Sequence, residues 1–520
     1  MSAAASLGAI ASQAARQFAG RSCLSYGYQH WTFSRFSTQV SAIAAGLATQ
    51  LARGSRVGLF MANRPEYVML QFALEQAGLV RVPLNMRFTV YEVETILEDC
   101  GASAVFFDSA TLDRASMLAC KMPQLWWCQV DGREALSGNE WATVIQTAGN
   151  VQDHAKPDDL CSINYTSGTS GKPKGVMLSQ RNWAAVYQNM LIDRDLRRDD
   201  VVGHVGPLTH ASGTYFVPWH LRGARNVIVE DASIDGLLQA IERERITVFT
   251  CVPTVLTRIV NHPDLDRFDL SSLRAIGYGA EPIPYNTLEK ALKRFGLILT
   301  QNYGLTEAMM TVATLSPSDH LLLEDNTVQH PIPRIGCIGK PYTFVEVVLR
   351  DKSGDPVAVG EVGEITIRSE HVMQGYWNRP DETAKVLRDG WLWSGDLASY
   401  DESGFLTISG RDKDMLISGG FNIYPAEVEA VLTSHPSVLE AAVVGIPDPD
   451  WGEIPIAYVT AAPGEKLERE QLIDHCKPLL GIKTPRHFRF IDTIPKNPNG
   501  KVDKPALKLA ATESGRAQHV

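Results

Sequence analysis

Apolar runs of strand length alternate with amphipathic stretches of helix length through most of this sequence. RVGLFMA precedes the helical PEYVMLQFALEQAG, and SAVFF follows it. Further on, NVIVE, the helical GLLQAIERERI, TVFTCVP and SLRAIGYGA repeat the pattern. A helix between two strands of one sheet carries the chain back to its starting edge, so successive strands run parallel and helices cover the sheet faces. The alternation predicts an α/β fold with largely parallel sheets. At 520 residues the chain is well past the size at which one hydrophobic core stops growing, so more than one domain is expected. From about Gly336 the texture changes to short strands broken by Gly and Asp, as in FVEVVLRDKSGDPVAVGEVGEITIR, which predicts a small antiparallel, barrel-like part. After Arg411 it changes again. AEVEAVLTSHPSV and REQLIDHCKPLL read as helices, and AAVVGIP and IAYVTAA as strands, enough for a compact α+β domain. The expected domains are therefore 1–411 and 412–520.

Composition narrows the function classes. Hydrophobic residues make up 44% and charged residues 21%, and no apolar run approaches the roughly 20 residues of a membrane helix. A soluble chain with no membrane span is expected. Lys plus Arg number 49 against 59 Asp plus Glu, a net charge of -10, and no basic block marks a nucleic-acid footprint. A small phosphorylated ligand is still compatible, because an anion site needs local N–H groups and one or two cations rather than net charge. The eight cysteines are scattered, with no C-x-x-C pair and no zinc spacing, which suits a reducing, cytoplasmic compartment. Leu7, Ile10, Ala14 and Phe18 recur at helical spacing, so the N-terminus reads as a surface helix rather than a transit peptide.

The strongest local signal is YTSGTSGKPKG over residues 165–175, between the strand-like LCSIN and the strand and helix expected in VMLSQRNWAAVYQNM. Three glycines, four Ser/Thr hydroxyls and two lysines in eleven positions can wrap a phosphate chain with N–H groups, hydroxyls and ammonium charge. A flexible Ser/Gly surface loop is the plain alternative. A Walker A loop is excluded, since Gly168 and Gly171 are too close and Pro173 follows Lys172.

This loop and five later segments resemble, in order, the motifs of the AMP-forming adenylating enzymes: acyl-CoA ligases, luciferases and peptide-synthetase adenylation domains. The later segments are GYGAEP from Gly277, QNYGLTE over 301–307, WSGD to Asp396 with Gly410-Arg411, GGFNIYPAE from Gly419, and PKNPNGK ending at Lys501. The resemblance covers nearly the whole chain and points to the acyl-CoA ligase branch. It implies a carboxylic acid substrate, ATP, Mg²⁺ and coenzyme A, a large N-terminal domain and a small mobile C-terminal one. Thr166, Ser167, Gly168, Thr169, Ser170, Gly171, Lys172 and Lys174 would grip ATP, with Gly279, Ala280, Glu281, Asn302, Tyr303 and Gly304 around adenine, and Tyr303 stacking on it. Asp396 and Arg411 would hold the ribose, although Gly-Asp alone is common turn chemistry. Glu307 and Thr169 are the implied Mg²⁺ ligands, and Thr306 would donate to the α-phosphate. Lys501, which in isolation reads as solvated surface, would reach the carboxylate and α-phosphate, completing a catalytic set with Thr306, Glu307 and His210.

The family's second step rotates the C-terminal domain about a hinge, here Lys413. Coenzyme A would then meet Gly419, Gly420, Phe421 and Trp451. Because Thr484 stands where a basic residue is expected, Lys483 and Arg486 are the substitutes for a 3′-phosphate contact. The acyl pocket would be lined by His210, Gly213, Thr214, Tyr215, Gly277, Met309 and Met310, although a Met pair is equally ordinary core packing. The lining segments contain no Lys, Arg, Asp or Glu, so the expected acid is a hydrophobic monocarboxylate, aromatic, alicyclic or medium-chain, with diacids rejected. The alternatives within the fold are loading of a carrier protein and luciferase-like oxygenation; outside it, a catalytically dead nucleotide-binding homologue. Monomer and homodimer both stay open.

Overall fold

The computed structural model describes residues 6–132, 141–145, 155–166, 173–322, 332–418, 421–448, 451–497 and 501–516. The expected βα units are present. Arg56–Phe60, the helix Pro65–Ala77, Val80–Pro83 and Ala104–Phe107 alternate as read, and Val80–Pro83 and Ala104–Phe107 both pair in parallel with Arg56–Phe60. Local chemistry sets the helix ends. Pro65 starts its helix at a position where no N–H is needed, and Gly78 ends it in the left-handed region. Leu7–Gln17 is the expected first helix, capped by the Ser6 hydroxyl.

The strands form three main sheets. One has seven strands, its centre parallel and one side antiparallel, where Leu160–Thr166 pairs with Lys174–Ser179 and the edge is Gly375–Tyr376. The second has 14 strands. Its first half is mainly parallel and includes Val201–His204, Val248–Cys251, Ala275–Gly279 and Leu299–Leu305. From Ala308–Leu315 onward it is antiparallel. The short strands after Gly336 thus have the antiparallel pairing read from sequence, but they continue this sheet through the pairing of Ala308–Leu315 with Cys337–Pro341. The third sheet has five strands, all after residue 415, and packs with the helices Pro425–Ser434, Arg469–Leu480 and Lys504–Arg516. Its apolar cores draw only on residues from Leu416 onward. Among the described residues no helix is long and apolar enough to cross a membrane.

Candidate active site

Ala275–Gly279 and Leu299–Leu305 run parallel, the first ending at Gly279 opposite Asn302 and the second continuing to Leu305. The second strand then reverses through Thr306 and Glu307 into Ala308–Leu315. Ligand sites of α/β sheets form at the carboxyl ends of strands where the strand order changes; here the parallel half gives way to the antiparallel half. Tyr303 to Glu307, Met309 and Met310 all keep accessible surface, while Gln301, Asn302, Val312 and Ala313 are buried. In the middle of a wide sheet that combination marks a cleft. Its backbone is closely packed. A Cβ on Gly279 would lie 2.1 Å from the Asn302 carbonyl oxygen, and one on Gly304 would lie 2.5 Å from the Met310 Cα. Ala280 and Met310 hold φ of 74° and 59°, in the left-handed region that non-glycine residues rarely occupy.

Polar groups from distant segments meet at this cleft. Asp396 and Arg411 are cross-strand partners. The Arg411 Nε donates to Asp396 Oδ1 at 3.0 Å, and the Tyr303 hydroxyl donates to Oδ2 at 2.6 Å. The carboxylate raises the Arg411 pKa, and burial beside it pushes the Tyr303 hydroxyl well above its usual range. Tyr303, expected to stack on adenine, therefore also anchors Asp396. Glu307 accepts at Oε1 from the Tyr376 hydroxyl at 2.7 Å, and its carbonyl accepts from the Met373 N–H at 2.8 Å. Lys174 lies 5.2 Å over the Tyr376 ring and pairs with Glu382. Glu281 accepts from the Thr254 N–H and hydroxyl at 3.2 and 2.9 Å.

Lys501 reaches the same place from the far end of the sequence. Its loop is closed by the Asn497 N–H on the Lys501 carbonyl at 2.8 Å and the Lys501 N–H on Asn497 Oδ1 at 3.1 Å. Surrounding protein lowers the Lys501 pKa, and Arg411 adds to this, while Asp396, Glu281 and Glu307 pull it up. Solvent still reaches the side chain, and its charge feels Arg411 and the carboxylates of Asp396, Glu281 and Glu307. Lys413, the expected hinge, is exposed close to Arg411; partial burial and the guanidinium lower its pKa. Lys496 donates to the Thr254 hydroxyl at 2.7 Å and to Glu440 at 3.1 Å, tying the Lys501 loop to the Glu281 side of the cleft.

Gly213, Thr214 and Tyr215 lie buried in the helix Ala211–Arg222, which His210 precedes as an exposed N-cap with Nδ1 3.0 Å from the Thr209 carbonyl. A Cβ on Gly213 would lie 2.1 Å from the Leu208 carbonyl, so this turn accepts no side chain there. Gly277 is buried, and a Cβ on it would lie 2.6 Å from the Thr250 hydroxyl. In the last third of the chain, Ser418 pairs with the exposed Phe421 on one side and with Gly452 on the other, so its strand lies between Phe421 and the Trp451 segment. Arg486 stacks 3.9 Å over the Trp451 ring, and Lys483 is held by both oxygens of Glu427 at 2.8 Å. Ser167, Gly168, Thr169, Ser170, Gly171, Lys172, Gly419 and Gly420 lie outside the described residues. The loop that carries the first six connects the paired ends Thr166 and Lys174.

Sequence reading missed two residues. Tyr376 meets Glu307 across 69 positions, and Arg194 meets Asn302 across 108. Neither lies in a segment with a local chemical pattern, so no short-range signal pointed to them.

Comparison with known proteins gives the family and the fold. The description "AMP-binding enzyme" matches residues 11–377, and "AMP-binding enzyme C-terminal domain" matches residues 427–501. The feruloyl-CoA synthase of an Amycolatopsis species is 36% identical over 508 residues, covering 96% of this chain and 97% of that protein. The amide bond synthetase McbA of Marinactinospora thermotolerans superposes with a TM-score of 0.88 at 31% identity, covering 97% of this chain and 99% of that one. The anthranilate CoA ligase AuaEII, solved with anthranoyl-AMP, gives 0.90 at 26% identity and covers 99% of both chains.

Proposed function

We propose a substrate class for a chain that belongs to the AMP-binding enzyme family and is an AMP-forming acyl-CoA ligase: a monocarboxylic acid with a hydrophobic aromatic, alicyclic or medium-chain body. The reaction uses ATP, Mg²⁺ and coenzyme A. The acid's carboxylate attacks the α-phosphorus of ATP and pyrophosphate leaves. The coenzyme A thiol then attacks the acyl carbon and AMP leaves.

The observation that carries the site assignment is the convergence of Tyr303, Asp396, Arg411, Glu307 and Lys501 on one cleft. Asp396 offers its carboxylate to the ribose hydroxyls, held in place by Tyr303 and Arg411. Lys501 supplies a positive charge where the attacking carboxylate and the α-phosphate meet, which lowers the cost of bringing two anions together. Thr306, in the turn beside Glu307, donates its hydroxyl to the phosphate. Glu307 fits Mg²⁺: Tyr376 holds one oxygen, and Mg²⁺ takes one or two carboxylates with phosphate and water rather than a protein cage. Bound there, the ion would neutralise phosphate charge.

The domain boundary at 411/412 and the hinge at Lys413 belong to the same proposal, as does a cytoplasmic location, which the eight unpaired cysteines support. Trp451, Phe421 and Arg486 form the coenzyme A face. Lys483 joins them only if it leaves Glu427.

Incubating the protein with ATP, Mg²⁺, coenzyme A and a panel of benzoates, cinnamates, alicyclic acids, C6–C12 and longer fatty acids and diacids tests this by mass spectrometry. Thioester from hydrophobic monocarboxylates, with one AMP per thioester, is the expected result. A diacid as the preferred substrate would overturn the proposed class, and acyl-AMP without thioester would move the acceptor away from coenzyme A.

A further inference from the structure

The segments named as pocket lining carry no charged residue, but the fold brings one to them. Arg194 caps the carboxyl end of the helix Gln180–Asp193. Its Nε donates to the Tyr342 hydroxyl at 2.9 Å, and a terminal nitrogen reaches the Tyr215 hydroxyl at 3.3 Å and the Asn302 side-chain oxygen. The guanidinium also sits 4.9 Å from the centre of the Tyr215 ring. Tyr215 stands on one wall of the acyl side and Asn302 on the strand that forms the cleft, so Arg194 bridges the two. The same helix is tied to the Met309–Met310 strand by Asn189, which donates to the Thr311 hydroxyl at 3.1 Å.

Arg194 has no counter-charge among the described residues. Its hydrogen-bond partners are all neutral, and the carboxylate beside it, Asp193, is committed to the Thr343 N–H and hydroxyl. Protein encloses the guanidinium, and yet the residue keeps accessible surface, as Tyr303 does. These neutral acceptors answer the Nε and one terminal nitrogen; the other terminal nitrogen has no hydrogen-bond partner among the described residues, and a substrate oxygen would supply one. Asn302 lies on the strand Leu299–Leu305, which leads into Thr306 and Glu307, so Arg194 contacts the same strand further from the reacting end.

We propose that Arg194 is a specificity-determining residue at the distal end of the acyl pocket, and that the preferred acid carries an acceptor oxygen there, such as a phenolic hydroxyl or a ketone. This rests on the acyl-CoA ligase reading and deepens its substrate class. A site that hydrogen-bonds a substrate oxygen discriminates strongly against the analogue lacking it.

The test measures kcat/KM by pyrophosphate release for matched acids: cinnamate against 4-hydroxycinnamate, cyclohexanepropanoate against its 4-oxo derivative, and 4-carboxycinnamate as the anionic arm. The wild-type protein is expected to prefer the oxygen-bearing member by about tenfold or more. Arg194→Met should bring that ratio to near one, with Arg194→Lys between. No wild-type preference, or a ratio unchanged in Arg194→Met, overturns the proposal, and the wild-type arm needs no variant to fold. Preference for 4-carboxycinnamate retains the role of Arg194 while sinking the monocarboxylate class. Pyrophosphate release without thioester sinks the ligase reading alone.

Discussion

Lys501 shows how a residue's meaning depends on its surroundings. In sequence it is one lysine in a Pro/Asn/Gly loop; in the fold its ammonium stands among Asp396, Glu281 and Glu307 beside Arg411. On the proposed mechanism its charge is needed while the acid's carboxylate attacks and not when the thiol does. Lys501→Ala is therefore expected to lower adenylation about 10²–10³-fold, the usual loss for one positioned donor, and to spare thioester formation from pre-made acyl-AMP. Half-reaction kinetics check this, and equal losses in both halves would contradict it. The motif residues Asp396, Arg411 and Glu307 were legible because each sits in a short chemical pattern. Tyr376, which orients Glu307, was not, because a tyrosine hydroxyl announces its partner only once the strands are placed.

At the scale of elements, the cleft exists because two strands approach more closely than side chains allow. Gly279 faces the Asn302 carbonyl so closely that an added methyl would sit 2.1 Å from that oxygen. Gly279→Ala must push the strand Ala275–Gly279 away from Leu299–Leu305, a distortion typically worth about 1–3 kcal/mol. The expected outcome is a lower melting temperature together with a kcat/KM for adenylation reduced at least about tenfold, since the shift falls on Ala280 and Tyr303. Unaltered adenylation in this variant would mean that the cleft does not hold the nucleotide. The sequence foresaw the strands but not this contact, because glycine is as common in flexible loops as at close approaches.

Two features belong to the whole molecule. First, residues after Leu416 dock through polar contacts: Asn286 donates to the His435 and Val438 carbonyls at 2.9 and 3.4 Å, and Lys496 to Thr254 at 2.7 Å. Contacts of this kind exchange readily with water, which suits the proposed rotation about Lys413 better than an apolar seam would. Second, the cores of the larger part bury neutral imidazoles. Burial pushes the pKa of His204 down to about 4 and those of His220 and His371 down to about 3. Each folded-state value lies below the unfolded one, so the contribution is complete above about pH 6.5 and is lost as pH falls from there toward 3–4. Each histidine adds at most about 1.4 kcal/mol of lost stability per pH unit in that window. His220 packs among Phe33, Phe36, Phe72 and Phe216. His220→Phe should flatten the fall of melting temperature between pH 6.5 and 4.5, and an unchanged slope would show that His220 does not carry it.

The sequence by itself determined the local conformations and the motif residues. Apolar period and turn chemistry act over a few neighbours, so Arg56–Phe60, Pro65–Ala77 and Leu299–Leu305 were legible, as was the change of texture after Arg411. Partner choice was not. Only the tertiary structure placed the early strand Ser22–Tyr26 beside Arg225–Ile228, in the sheet that carries the cleft, away from the seven-stranded sheet built by the segments that follow it. Only there does Arg194 meet Tyr215 and Asn302. A strand's pattern specifies that a face must be covered, not by which distant segment, and a cation's place in the chain does not say which wall it will complete. That choice is settled when distant segments pack together.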